Sequence, residues 1–278
     1  MKNEQIVMHS LTTGQRDLEE ALEAYAAAGF RRAEIYLSLI KAYLGDGHTV
    51  EQTRDLFDSY GLDFIGGNEA VPVECFHSPD VLLPSLRTHA ENLRLIHDLG
   101  GSKMVVGTDG PEQVTPDSMD PVARALAELA RATEGMEVDI AVEFNASPVV
   151  KSLSSAARVC QKADHPRVGI LFDTAHYHVT PSKLNDINAE AVPLIKHVHI
   201  NDMPDTPPDL THRDFDRVLP GDGVLDLPTI VSTLESHGYD GYFSIELFNS
   251  ELWNLPVKEA ARRCYESVQP LCETGAGR

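Results

Sequence analysis

Positive charge is what this chain has least of. Its 278 residues carry 23 lysines and arginines against 43 aspartates and glutamates, a formal net charge of −20. A surface of that sign repels phosphate-rich partners, which argues against nucleic acid and anionic membrane surfaces. It leaves a neutral sugar or polyol open as a partner. Cysteine is sparse too. Cys75, Cys160, Cys264 and Cys272 are scattered and form no CxxC pair. Free thiols rather than disulfides are therefore expected, and a reducing cytoplasm as the compartment. No apolar run is long enough to span a bilayer, and the opening MKNEQIVMHS is too short in apolar residues for a signal peptide. No linker, low-complexity tract or shift in composition divides the chain, so residues 1–278 are expected to form one domain.

What is present is an alternation of strand-like and helix-like segments. Strand signals fall at residues 6–9, 33–37, 62–68, 103–108, 140–145, 168–174, 197–202 and 242–249. Helical patterns fall at 17–28, 50–60, 85–99, 120–133, 152–162, 185–195, 228–237 and 257–267. Gly29 and Gly61 stand where helices would stop, and Asp120 with Pro121 reads as a helix start. Residues 70–84 are polar, mixed and proline-containing, and read as a long loop over one end of the fold; the tail 273–278 reads as frayed. Eight strand-then-helix units predict a single (β/α)8 TIM barrel.

The last four strands carry the chemistry. They read IAVEFN, VGILFDT, HVHIND and YFSIELFN, and near the exit of each stands one ionisable residue: Glu143, Asp173, His199 and Glu246. A buried apolar strand has no structural use for such a group. Any one of them could be a barrel-end ion pair. Four in succession, at the ends that converge on a barrel's active mouth, point to one shared divalent-metal site. Strand alternation puts each on the same side as a residue that can pack deeper, as with Ala141 beneath Glu143 and Leu171 beneath Asp173. Three carboxylates and one imidazole suit Mn²⁺ best, with Mg²⁺, Co²⁺ and Zn²⁺ compatible. Such a ligand set leaves room for two substrate oxygens, a ketone and its neighbouring hydroxyl. His176, in DTAHYH, is close enough in sequence to bind a substrate oxygen or relay a proton. His197 reads as a buried, hydrogen-bonded histidine. Arg217, in DRVLPGDG, offers a fixed charge to a developing enediolate, or else pairs with Asp222 or Asp214 and only fixes its loop. The glycines there allow backbone to approach a ligand. Asp202 and Asp205 could contribute to a second metal but complete no ligand set.

Taken together, IAVEFN, LFDTAHYH, HVHIND, DRVLPGDGVLD and SIELFNSELW resemble the sugar phosphate isomerase/epimerase superfamily with the xylose isomerase-like barrel. Within it the pattern is most similar to the inosose (2-keto-myo-inositol) isomerase group. The resemblance covers residues 138–256, while the first half matches only in its order of elements. It implies one metal held by Glu143, Asp173, His199 and Glu246, with Glu143 and Glu246 moving protons on opposite faces of a sugar or cyclitol ketone. It also implies substrate contacts from His176 and Arg217, and from Asn68 at the exit of the third strand. Keto-sugar epimerases, inosose dehydratases and 3-dehydroshikimate dehydratases share these ligands, so a lyase acting through the same enediolate stands as the alternative. A homo-oligomer is compatible with the sequence.

Overall fold

In the computed structural model, residues 1–14, 16–210 and 214–273 are described. Eight parallel strands close a barrel in sequence order: β1 (Ile6–His9), β2 (Arg32–Glu34), β3 (Asp63–Asn68), β4 (Lys103–Val106), β5 (Asp139–Glu143), β6 (Val168–Asp173), β7 (Ile195–Ile200) and β8 (Phe243–Ile245). Outside them lie α1 (Leu18–Ala28), α2 (Leu37–Gly45), α3 (Val50–Ser59), α4 (Pro79–Asp98), α5 (Met119–Ala132), α6 (Leu153–Ala163), α7 (Thr174–Val179), α8 (Leu227–Ser236), α9 (Ser250–Trp253) and α10 (Val257–Glu273). The barrel predicted from the alternation is therefore present. Asp17 caps α1 by accepting from the backbone of Glu19 and Glu20, and Gly29 ends it in the left-handed region. The last helix returns to the first: the Tyr265 ring packs edge-on to Phe30 at 5.1 Å. The tail beyond Glu273 lies outside the described residues.

Several boundaries differ from expectation, each for a local reason. The second strand stops at Glu34, and Leu37 already opens α2, which was not anticipated. α4 begins at Pro79, so Pro84 sits inside the helix and the loop before it is shorter than residues 70–84. Asp120 lies in the first turn of α5 rather than capping it, and pairs with Lys162. Residues 185–195 form two 3₁₀ turns, Leu184–Asp186 and Val192–Leu194, instead of a helix. There the Asn188 side chain accepts from the backbone of Glu190 and Ala191, an alternative to helical bonding that asparagine favours.

Inside the barrel, Val105, Ala141 and Leu171 form a small apolar plug. Their strand-mates two residues on, Glu143 and Asp173, stand above it on the same side. β2 and β3 shift register between Ala33 and Glu34, so that Ala33 pairs with Phe64 and Glu34 with Gly66. Close approach of neighbouring backbone requires glycine at two positions of β3. Gly66 has φ +143°, and a Cβ there would lie 1.7 Å from the Lys103 carbonyl oxygen; one on Gly67 would lie 1.9 Å from that of Ile35. The glycine pair thus serves backbone packing. Gly67→Ala, with no conformational strain of its own, is expected to destabilise the fold by about 1–3 kcal/mol through this overlap, read as a lower urea midpoint at unchanged m-value.

Candidate active site

The C-terminal ends of the strands surround a cavity of about 550 Å³. Asn68, Glu143, His176, Arg217 and Glu246 all line it, with Phe248 on its wall. Residues 69–72 line it as well, which places the start of the expected mouth loop where it was sought. Asp173 and His199 are buried beside it, and strand register pairs them directly.

Local structure aims each group. Asp173 ends β6 and caps α7: its Oδ1 accepts from the His176 backbone at 3.0 Å, which holds His176 at the mouth. Its Oδ2 accepts from Asn201 Nδ2 at 3.2 Å, and the same amide donates to the Glu246 carbonyl oxygen at 2.9 Å. Arg217 Nη1 lies 3.3 Å from Asp173 Oδ2 and donates to Glu246 Oε2, while Nη2 donates to His176 Nε2 at 3.1 Å. His176 Nε2 lies 3.6 Å from Glu143 Oε1. Arg217 therefore pairs with two site carboxylates rather than with Asp222; the Asp214 side chain lies outside the described residues.

The loop carrying Arg217 is tied to the end of β7. Asp202 and Val218 exchange backbone hydrogen bonds at 2.9 and 3.0 Å. The Asp202 carboxylate accepts from the backbone of Met203, Gly221 and Leu225 at 2.8–3.0 Å. Asp202 thus organises a loop and is not a second-metal ligand. Gly223 of PGDG serves this packing too, since a Cβ there would lie 2.2 Å from the Met203 carbonyl oxygen. Trp253 donates to the Leu11 carbonyl oxygen at 2.9 Å and backs Phe248 with its ring.

Two residues of the first half escaped the sequence reading. Glu34 is fully buried, with Oε2 2.9 Å from His197 Nε2 and 3.1 Å from His199 Nε2. His9 is fully buried and accepts from the Leu11 backbone through Nδ1, so its proton lies on Nε2 and is donated to Asn68 Oδ1. Asn68 accordingly has its amide nitrogen left to donate to a substrate oxygen. The signal for both was present: a carboxylate in the strand AEIYL and an imidazole ending IVMH are the same anomaly that flagged the later strands. His197 is the buried, hydrogen-bonded histidine expected.

The electrostatics follow from this packing. Burial pushes the Glu143 carboxyl up, His176 opposes that, and Asp173 and Glu246 push it further. Burial would also raise Asp173, but Arg217 chiefly, then His176 and His199, hold it below its usual range. Burial would lower His199, yet Glu34, Glu246 and Asp173 hold it at about 9. Glu34 stays well below the usual carboxylate range despite burial, because His199, His197 and His9 surround it.

A divalent cation fits here. Donor atoms of Glu143, Asp173 and His199 lie within 4.8 Å of one another. His199 Nδ1 is buried with no hydrogen-bond partner among the described residues, 4.0 Å from Asp173 Oδ2 and 3.8 Å from Glu246 Oε2. With His199 held protonated, Nδ1–H faces these carboxylates, and a divalent ion bound between them would take that proton's place. The structure brings three of the four expected ligands into one set. Glu246 adjoins them, with Arg217 on its carboxylate.

Parallel strands closing on themselves, with such a donor set at their C-terminal ends, define a (β/α)8 barrel with a candidate metal site at its mouth. Residues 22–267 match the family described as xylose isomerase-like TIM barrel, and the chain belongs to that family. Among curated relatives, an inosose isomerase of Bacillus licheniformis is 36% identical over 145 residues, 51% of this chain and 52% of that protein. A 3-dehydroshikimate dehydratase of Pseudomonas putida is 28% identical over 262 residues, 88% of this chain and 38% of that protein. The chain thus spans about half the length, or less, of these curated relatives. The crystal structure of the IolI protein with a bound zinc atom superposes with a TM-score of 0.87 at 23% identity, covering 97% of this chain and 98% of that one. Among the described residues, no helix is long and apolar enough to cross a membrane.

Proposed function

We propose that this protein is a divalent-metal-dependent isomerase or epimerase of a keto-polyol or ketose, with an inosose-like cyclitol ketone as the substrate class. The observation that carries the reading is the unpartnered Nδ1 of His199, facing the carboxylates of Asp173 and Glu246 and buried beside a cavity of sugar size that Glu246 lines. A divalent ion held by Glu143, Asp173, His199 and Glu246 would supply Lewis-acid polarisation of a ketone and its neighbouring hydroxyl, which acidifies the C–H between them. Manganese is our first choice, for an oxygen-rich set with one imidazole. Glu143 and Glu246 stand three strands apart on the barrel rim. One removes the proton; the same group, or its counterpart across the substrate, returns it. The raised Glu143 carboxyl suits it to hold a proton between those steps. Arg217 offers its guanidinium to the enediolate oxygens, and His176 and Asn68 orient the remaining hydroxyls. We read residues 1–278 as one cytoplasmic barrel domain whose partner is a small ketone, not a nucleic acid or a membrane. The inosose isomerase relative supports the cyclitol ketone as substrate class.

One observation favours a second reading. The dehydratase relative aligns over 88% of this chain, beyond the half that aligns with the inosose isomerase. The same proton removal, followed by loss of a β-hydroxyl, gives dehydration. His176, near Glu143, could protonate the departing oxygen.

The test is proton NMR in D2O with Mn²⁺-reconstituted protein cleared of excess metal, against inosose, fructose, tagatose, psicose and a 3-keto-glucoside. Deuterium entering beside a carbonyl, with a new keto isomer and no reaction after EDTA treatment, is the expected result. Loss of water or of an aglycone moves the assignment to the lyase. Conversion that survives chelation removes the metal from the account.

A further inference from the structure

Behind the cavity lies a buried layer whose residues are not among those that line it. Glu34 reaches it from β2, His197 and His199 from β7, and all are fully or almost fully enclosed. Both histidines turn Nε2 toward the Glu34 carboxylate, at 2.9 Å from His197 and at 3.1 and 3.2 Å from His199. Nitrogen must carry hydrogen to donate across such distances, so a neutral His199 places its proton on Nε2 and its lone pair on Nδ1. Nδ1 is the atom that faces Asp173 and Glu246. A carboxylate is the one common side chain that accepts from two imidazoles at once without presenting a hydrogen to either. The register shift of β2 falls at Ala33/Glu34, where Glu34 pairs with Gly66.

Glu34, His9 and His199 could themselves be taken for a second metal set, since their donor atoms also lie close together. His9 argues against it. Its Nε2 hydrogen is donated to Asn68, and its Nδ1 accepts from the Leu11 backbone. That leaves no lone pair for a cation.

We propose that Glu34 is a positioning residue: by accepting the Nε2–H of His199 from below, it presents Nδ1 as the metal-binding nitrogen. The inference rests on the metal reading given above, though not on the identity of the substrate. In Glu34→Gln the size is kept, but because His199 Nε2 faces both carboxylate oxygens and His197 only Oε2, an amide N–H₂ meets His199 in either orientation. That imidazole must shift its proton to Nδ1, and this blocks the ligand atom. His197 Nδ1, also buried without a partner, can absorb part of the change.

Two readouts test this without any sugar. Zn²⁺ titrated calorimetrically into the metal-free protein should bind Glu34→Gln roughly 10–100-fold more weakly than wild type, at matched far-UV circular dichroism. In long-range 1H–15N spectra of the Zn²⁺-loaded wild type, the His199 signals, assigned through His199→Asn, should show Nδ1 ligated and Nε2 protonated. Ligation through Nε2, or equal Zn²⁺ affinity in a folded Glu34→Gln, overturns the proposal. If Glu34→Gln does not fold, the wild-type spectrum decides alone. Zn²⁺ failing to bind wild type would instead sink the metal reading beneath it. Zn²⁺ bound as predicted with no ketone exchange would sink only the isomerase.

Discussion

Glu246→Gln, saturated with divalent ion, is expected to keep its fold and lose turnover by roughly 10²–10⁴-fold, the usual contribution of a positioned general base. Glutamine has nearly the same shape, and its oxygen can still accept from Arg217 Nη1 and still face the metal donors. It cannot take a proton. Loss of deuterium uptake at saturating Mn²⁺ would therefore report chemistry rather than assembly, provided metal affinity is measured alongside. Glu143→Gln sharpens the result. If the two glutamates act on opposite faces, this variant continues to exchange deuterium at the position Glu246 reaches, while net conversion stops. Should metal-saturated Glu246→Gln exchange as fast as wild type, Glu246 has no part in moving the proton.

That Glu246 and its partners could be named from sequence follows from where they sit. The strands that bear them are short apolar runs, and a carboxylate within such a run is costly unless it has a task. The same physics applied to β1 and β2, where His9 and Glu34 are as deeply buried. There it went unread, because a single buried group per strand in a region without known motifs looks like a paired structural charge. What distinguishes Glu34 is its distance to His197 and His199, more than 160 residues away in sequence. No local pattern encodes a contact between opposite sides of a barrel. The loop glycines show the complementary limit. Gly223 is legible as a place of close approach, yet only the closed barrel reveals that the approaching group, there as at Gly66 and Gly67, is backbone. Helix ends were misplaced where side chains compete with the backbone, as Asn188 does, or where proline enters a first turn, as Pro79 does.

Isomerase and dehydratase differ at this site by one proton donor. Both need a base at the acidified carbon and a cation at the enediolate, and the glutamates and Arg217 can supply these in either case. The difference lies in whether a protonated group meets the β-hydroxyl. His176 is the candidate, yet Arg217 Nη2 donates to its Nε2, which leaves that nitrogen an acceptor. As arranged, His176 offers no proton to the cavity from Nε2, which favours isomerisation unless substrate displaces the guanidinium.

The guanidinium itself supports the second large effect. Arg217→Met removes the cation that sits against Asp173 and Glu246, which are respectively fully and almost fully enclosed. Breaking a buried pair by deleting one partner typically costs about 3–5 kcal/mol, because the remaining charge stays desolvated and unpaired. That loss is expected in the metal-free variant, read as a lower urea midpoint in EDTA. A divalent ion offers the same carboxylates another counter-charge. Mn²⁺ should therefore raise the melting temperature of Arg217→Met by more than it raises that of wild type. Activity should not return with stability. With no guanidinium at the developing enediolate, turnover at saturating Mn²⁺ is expected to remain down by roughly 10²–10³-fold. Equal metal-free stability in variant and wild type would mean that Arg217 does not balance these carboxylates. Full activity in the Mn²⁺-rescued variant would leave Arg217 as a counter-ion alone, and would require the enediolate charge to be stabilised without it.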